Sequence, residues 1–299
     1  MSGRPGGRFL RLALGALLAG CAAAGRAAPT PRPDRSPGAA CLDVATLPPD
    51  VRATAGHFAL AAGDREGLYT LDGGLKPVSS DIAQFRWRVH PTVEPSAGDT
   101  LARWRRAVAA LSCGEIDFAV QVFAAVHPGR GLDSVRTATV AVGHRAAIAE
   151  TISRHAAFFI GIGVTTGLPL SDVLGLVDVA PRAARWRAYG LLFGYPAPAV
   201  DFFVAAGLRG DSTQRIEPRD FRRLPTWRKS APAPGTTDSL SSFVYAVPAG
   251  APWSPADPAL ARAVAPRYAR YAAWRGAASR TGEDALAYWR SQLAALPPR

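Results

Sequence analysis

Lysine is almost missing from this sequence. Of its 35 basic residues only Lys76 and Lys229 are lysine, so the positive charge is carried by arginine. Histidine and cysteine are sparse too, with 5 and 3 copies, and the scarcity narrows the chemistry. The cysteines form no CxxC pair and no cluster with histidine, which argues against a structural zinc site. The histidines include no HExxH helix pair, and no GxSxG nucleophile turn occurs. No GxxxxGK[ST] phosphate loop is present either. Gly161 to Gly167 is glycine-rich, but a helical pattern precedes it and no acidic residue follows at the dinucleotide spacing, so it reads as a helix-ending turn. No cofactor and no metal is expected. Long hydrophobic runs are lacking as well. The uncharged stretch from Leu12 to Gly25 has 14 residues, and that from Ala156 to Ser171 has 16 and contains Pro169. Both fall below the roughly 18 to 20 residues of a spanning helix.

What is present begins at the first residues. Arg4, Arg8 and Arg11 precede the apolar run Leu12 to Leu17, which leads into Leu18-Ala19-Gly20-Cys21. A basic start, an apolar middle and small residues before a cut form a secretory signal. The four residues LAGC resemble the lipobox of bacterial lipoproteins. That resemblance implies cleavage before Cys21 and diacylation of its sulfur, and two acyl chains suffice for stable anchoring. Ala22 follows the cysteine; in Gram-negative members an Asp there commonly signals inner-membrane retention, so the resemblance points to the periplasmic face of the outer membrane. It covers the leader alone. Residues 1–20 are the expected signal peptide. Residues 21–40, rich in Ala, Pro, Gly and Arg, cannot bury a core and read as a tether. Residues 41–299 are expected to form one globular domain.

A hydrophobic content of 48% and a charged content of 19% are those of a folded chain. The net charge is +12, and +9 once the three leader arginines are removed. Such a surface suits a polyanion or an acidic protein. Export excludes cytoplasmic nucleic acid and leaves an envelope protein, a polyanion and the anchoring membrane as partners. The arginines are scattered rather than blocked, as GC-rich coding would also produce. With Cys21 lipidated, Cys41 and Cys113 remain, and an exported protein with two thiols is expected to join them. The loop would span 72 residues, worth about 4 kcal/mol on the chain-entropy model.

Along the domain, Phe85 to His90 alternates strictly. It predicts a strand with Phe85, Trp87 and Val89 inward and Arg86, Arg88 and His90 outward. Ser96 is placed to cap a helix carrying Leu101, Trp104, Val108 and Leu111. Asp117 to Val126 fits a strand by alternation, with a helix as the alternative; read as a strand, it pairs antiparallel with the strand predicted from Val135 to Val142, around the turn at His127 to Gly131. From His144 to Gly207 the chain is most apolar, with helices carrying Ile148, Ile152 and Phe159, then Trp186, Tyr189 and Phe193, then Val200, Phe203 and Val204. Gly207 is expected to stop the last of these, and residues 208–238 to form a polar surface excursion. A strand is predicted from Ser242 to Val247. A helical C-terminal part, 253–299, is expected to kink or end a helix at Pro266 and to finish with a helix capped by Thr281 and carrying Leu286, Trp289, Leu293 and Leu296. The fold class that follows is α+β: a small antiparallel or mixed sheet covered by helices, with a helical C-terminus. Trp87, Trp104, Ile148, Ile152, Phe159, Phe193, Phe203 and Trp289 are the predicted core.

Two functional classes remain. One is a binding or structural lipoprotein of the cell envelope that presents a basic domain. The other is an envelope hydrolase with His144 as general base, where a strand meets a helix, and His127 beside Arg130 lining the cleft. An antiparallel pairing of the two strands sets those histidines at opposite ends and weighs against the second. His155 shares a helical stripe with His144 but lies eleven residues on, too far for a common metal. Ser79 and Ser80 beside Asp81 lack a located histidine, and Asp201 suits a helix start. Six of the seven tryptophans are followed by arginine. They read either as an interfacial belt or as half-buried indoles whose arginines reach water.

Overall fold

Alternation of large and small side chains along one central strand divides this fold into two cores. A computed structural model describes residues 42–129, 133–227 and 243–295. The leader with Cys21, the tether, Cys41, Arg130 and Leu296 lie outside the described residues, and all described residues belong to one compact unit. Strands β1 (Val78–His90), β2 (Ile116–Pro128) and β3 (Ser134–His144) form an antiparallel sheet in the order β1-β3-β2. On β3, Val140 and Val142 face one core while Ala141 faces the other. On β2, Phe118 and Ala119 divide in the same way. Period-2 geometry makes this division automatic.

The large side chains meet helices α1 (Pro49–Asp64) and α3 (Ala97–Leu111). There Phe58 and Trp104 pack edge to face with their ring centres 5.2 Å apart. The small side chains let a helical layer come close to the opposite face. This layer comprises α4 (Arg145–Arg154), α5 (Ala156–Gly161), α6 (Leu170–Val179), α7 (Arg182–Leu192) and α8 (Ala197–Thr213). At Gly143 a Cβ would stand 2.7 Å from Ile148 and 3.1 Å from Leu170, so the close approach needs glycine. Between α1 and β1 lies the single turn α2 (Leu68–Leu71). A second antiparallel pair follows α8: β4 (Arg219–Leu224) with β5 (Phe243–Pro248). The C-terminal part is α9 (Ala256–Gly276) and α10 (Gly282–Ala294), and α10 lies along α1. The architecture is α+β with antiparallel sheets, helices over them and a helical C-terminus.

Most expected elements are present at their expected places, and the departures have local causes. α8 runs through Gly207 because that glycine receives the Trp186 ring, which a Cβ would meet at 2.4 Å. Phe203, expected in the core, is 41% exposed and meets Trp186 edge-on at the surface. Phe193 is half-buried, stacked on Tyr189. Residues 208–227, expected as an irregular excursion, complete α8 and supply β4. α9 continues past Pro266, held on both sides of it. Val264 is buried, and Arg267 donates to the Asp72 and Ala263 carbonyls at 2.7 Å each. Ser96 stands at the N-terminus of α3, but its hydroxyl donates to Glu94 rather than capping. Thr281 caps α10 as expected, in a reciprocal box with Asp284. Cys113 is buried. The tryptophans followed by arginine lie on β1, α3, α7, α9 and α10 and just after β4, so they share no belt. Three of these indoles are buried: Trp87, Trp104 and Trp289.

Candidate functional site

The sheet register decides what the two sequence-predicted histidines can do. Ile116 pairs with His144 at one end of the β2–β3 ladder, and His127 pairs with Val135 near the other. Nine steps along β3 separate Val135 from His144, about 30 Å at the rise of an extended strand. The fold therefore does not bring His144 and His127 together. His144 is 2% exposed and ends β3 at the N-terminus of α4. Its backbone N–H donates to the Pro77 carbonyl at 2.9 Å, and its Nδ1 faces the Ala147 N–H at 3.5 Å. Gly74 lies against the ring, where a Cβ would come within 2.7 Å. The imidazole thus helps to begin a helix in a filled space. His155 is half-buried at the joint between α4 and α5.

The serine and carboxylate candidates are likewise part of the framework. The Ser79 hydroxyl is 2.9 Å from that of Thr70 and donates to the Glu66 carbonyl at 3.0 Å. Asp81 accepts from the Thr139 hydroxyl at 3.1 Å. Asp201 pairs with Arg187 at the surface. Among the described residues no group of three or more His, Cys, Asp or Glu could hold a metal. No helix among them is long and apolar enough to cross a membrane.

The distal half of the sheet carries a different feature. Arg88, Val135 and His127 form one row across the three strands, and Arg86 pairs with Thr137 in the next row along β1. Directly paired residues share a face. Arg86, Arg88 and His127 are exposed, while the other face at this end packs Trp87 and Phe85 against Ala97 and Leu101 of α3. Two guanidinium groups and an imidazole thus stand together on a half-covered sheet. That arrangement can bind anionic groups by charge and by hydrogen bonds from planar donors. It places no nucleophile beside a base.

Sequence reasoning had not singled out Lys76 for a role, and the fold encloses it completely. Its side chain is fully buried and pairs with Glu66. Its Nζ lies 4.3 Å from the centre of the Phe243 ring and 5.3 Å from those of Phe193 and Tyr195. Burial lowers the ammonium pKa below its ordinary value, against the opposing pull of the Glu66 carboxylate. Burial also raises the Tyr195 hydroxyl. A compact ammonium suits an aromatic enclosure of this size better than a planar guanidinium. The one available signal was its rarity in a chain that otherwise uses arginine. Deeper along the sheet, Gln121 donates to the Tyr189 hydroxyl at 2.6 Å, and burial pushes that phenol up to about 12.

Neither the family models, nor the curated proteins, nor the solved structures contain a match to this chain.

Proposed function

We propose that this chain is a lipid-anchored cell-envelope protein whose folded part is a binding or structural module, presenting a basic surface to an envelope protein or polyanion. In this reading residues 1–20 direct export and Cys21 carries the acyl chains. Residues 22–40 tether the domain at the periplasmic face of the outer membrane if the cell is Gram-negative, and Cys41 bonds Cys113. The observation that carries the binding role is the exposed row of Arg86, Arg88 and His127 on the distal sheet. The tight setting of His144 supports binding over hydrolysis.

Two variants separate anchoring from binding. Cys21→Ala is expected to release the protein from the membrane fraction; unchanged retention would remove the anchor. Paired Arg86→Glu and Arg88→Glu substitutions change exposed side chains alone. They are expected to lower the salt concentration that elutes the protein from immobilised heparin while leaving its thermal unfolding unchanged, since such contacts are paid in released counterions. An unaltered elution position would sink the binding role of this face.

A further inference from the structure

The open half of the central sheet runs inward to a polar row whose inner members are buried. Gln84, Thr139 and Gln121 pair across β1, β3 and β2, and so share the face of Arg86, Arg88 and His127. Ala141 and Ala119 form the next row inward, in the core beneath the helical layer. Successive rows on one face lie about 6.7 Å apart along the strands. Between the Gln121 row and the His127 row stands Thr137, with Arg86 paired to it on one side. On its other side β2 bulges between Val122 and Val126. α6 holds the bulge, where Asp178 accepts from the Ala124 N–H at 2.8 Å. α7 brings Tyr189 to Gln121 and places Arg185 one turn earlier, donating to the Asp178 carbonyl at 2.9 Å.

Gln121 is 5% exposed, and its amide is half satisfied. Nε2 donates to the Tyr189 hydroxyl at 2.6 Å, while Oε1 is buried and has no hydrogen-bond partner among the described residues. A buried acceptor left unpaired costs free energy until a donor reaches it. Tyr189 is half-buried, so the edge of the helical layer beside Gln121 meets solvent. Two carboxylates bordering this row are engaged: Asp81 accepts from the Thr139 hydroxyl at 3.1 Å, and Asp178 holds Ala124. Farther out, Arg88 and His127 flank Val135 at two strand spacings, about 10 Å from each other. Val135 is half-buried and gives that row an apolar floor.

We propose that this face binds a single chain of an acidic polysaccharide, with its acid groups on Arg86, Arg88 and His127 and one of its hydroxyls donating to Gln121 Oε1. The inference rests on the reading of this face as an anion-binding surface and names the ligand. Three observations favour a sugar over other polyanions. Oε1 accepts, so it needs a donor, which a sugar hydroxyl supplies and an ionised phosphate chain does not. Arg88 and His127 stand on either side of an apolar residue, and a glycan with an acid on every second ring lays the ring between over Val135. Thr137, 7% exposed, adds a hydroxyl beside Arg86, where a ring hydroxyl can donate or accept. The two guanidinium groups can each take a carboxylate through paired planar donors.

The test uses the full chain carrying Cys21→Ala, so that every other segment is present, and isothermal titration with a hyaluronan oligosaccharide, in which uronic acid alternates with an uncharged sugar. Inorganic polyphosphate and polyglutamate of equal charge are the comparison ligands. Hyaluronan is expected to bind more tightly than both. Gln121→Met is expected to weaken it by about tenfold while leaving polyphosphate binding unchanged. Paired Arg86→Glu and Arg88→Glu substitutions are expected to weaken all three. Equal or tighter binding of polyphosphate or polyglutamate would overturn the sugar and leave the basic face standing. So would undiminished hyaluronan affinity in Gln121→Met with an unchanged circular dichroism melt. Should that variant not fold, the ranking of the three ligands decides alone. Hyaluronan binding kept in the double arginine variant would place the glycan elsewhere and overturn the proposal. No binding by any of the three would remove the anion-binding reading of this face together with it.

Discussion

Lys76 shows how one side chain can shape the stability of the fold. Burial holds its folded-state pKa below the 10.5 it has when free. Between the two values the unfolded chain takes up a proton that the folded chain does not, so stability rises with pH across that window. Tyr189 works in the other direction. Its phenol is pushed from 10.0 up to about 12 by burial, and burial also raises Tyr69, Tyr195 and Tyr271. Above the ordinary tyrosine range the unfolded chain loses phenolic protons first, and stability falls. Urea unfolding from about pH 8 to pH 12 should therefore pass through a maximum near the crossing of the two limbs. Lys76→Met should erase the rising limb and keep the falling one. At neutral pH it should leave stability unchanged or raise it by about 1 kcal/mol, since a well-packed apolar side chain commonly matches a buried ion pair. Glu66, whose side chain is 23% exposed, can then turn to water. A rising limb that survives in Lys76→Met would mean that another group sets it.

At the level of elements, α10 owes its start to side chains rather than to burial. The Thr281 hydroxyl accepts from the Asp284 N–H at 3.3 Å, and the Asp284 carboxylate accepts from the Thr281 N–H at 2.7 Å. The bonds that the Thr281 N–H and hydroxyl donate to the Asp284 carboxylate hold its pKa below its ordinary value. Thr281→Ala should lower stability by about 1 kcal/mol, as loss of a cap does elsewhere, read as a fall in thermal midpoint. This cap was legible in the sequence, as were β1 from its alternation and α3 from its apolar spacing, because local periodicity reports which face is buried. Gly207 and Pro266 misled because both were read as local breakers. Their settings depend on partners far along the chain, the Trp186 ring for one and the Asp72 carbonyl for the other. β4 was hidden because Arg219 to Leu224 is mostly polar and becomes a strand only by pairing with β5. Of the sites, the arginine face of β1 was visible in its alternation, but the row with His127 needed the register.

Across the whole molecule, ion pairs join the C-terminal helices to the N-terminal ones. Asp64 at the end of α1 accepts from Arg275 at 2.9 and 3.3 Å and from the Tyr271 hydroxyl at 2.8 Å. Asp72, just past α2, accepts from Arg270 at 2.6 Å. Asp64→Ala leaves a mostly buried guanidinium without its carboxylate and should cost about 3 kcal/mol in denaturant unfolding. Lowering stability only as far as an exposed ion pair would mean that water reaches this junction. Beyond these pairs, Trp289 of α10 donates to the Ala59 carbonyl at 3.1 Å, and the Gly56 and Gly282 backbones nearly touch. This closure has a temporal meaning. A ribosome adds about 5 to 20 residues per second, so α1 waits roughly 10 to 45 seconds for the helix that completes its core. Until α10 is made, the nascent chain lacks the element that seals the larger of its cores. Completion of that core therefore waits on a contact that spans 230 positions of sequence, the one between Trp289 and Ala59.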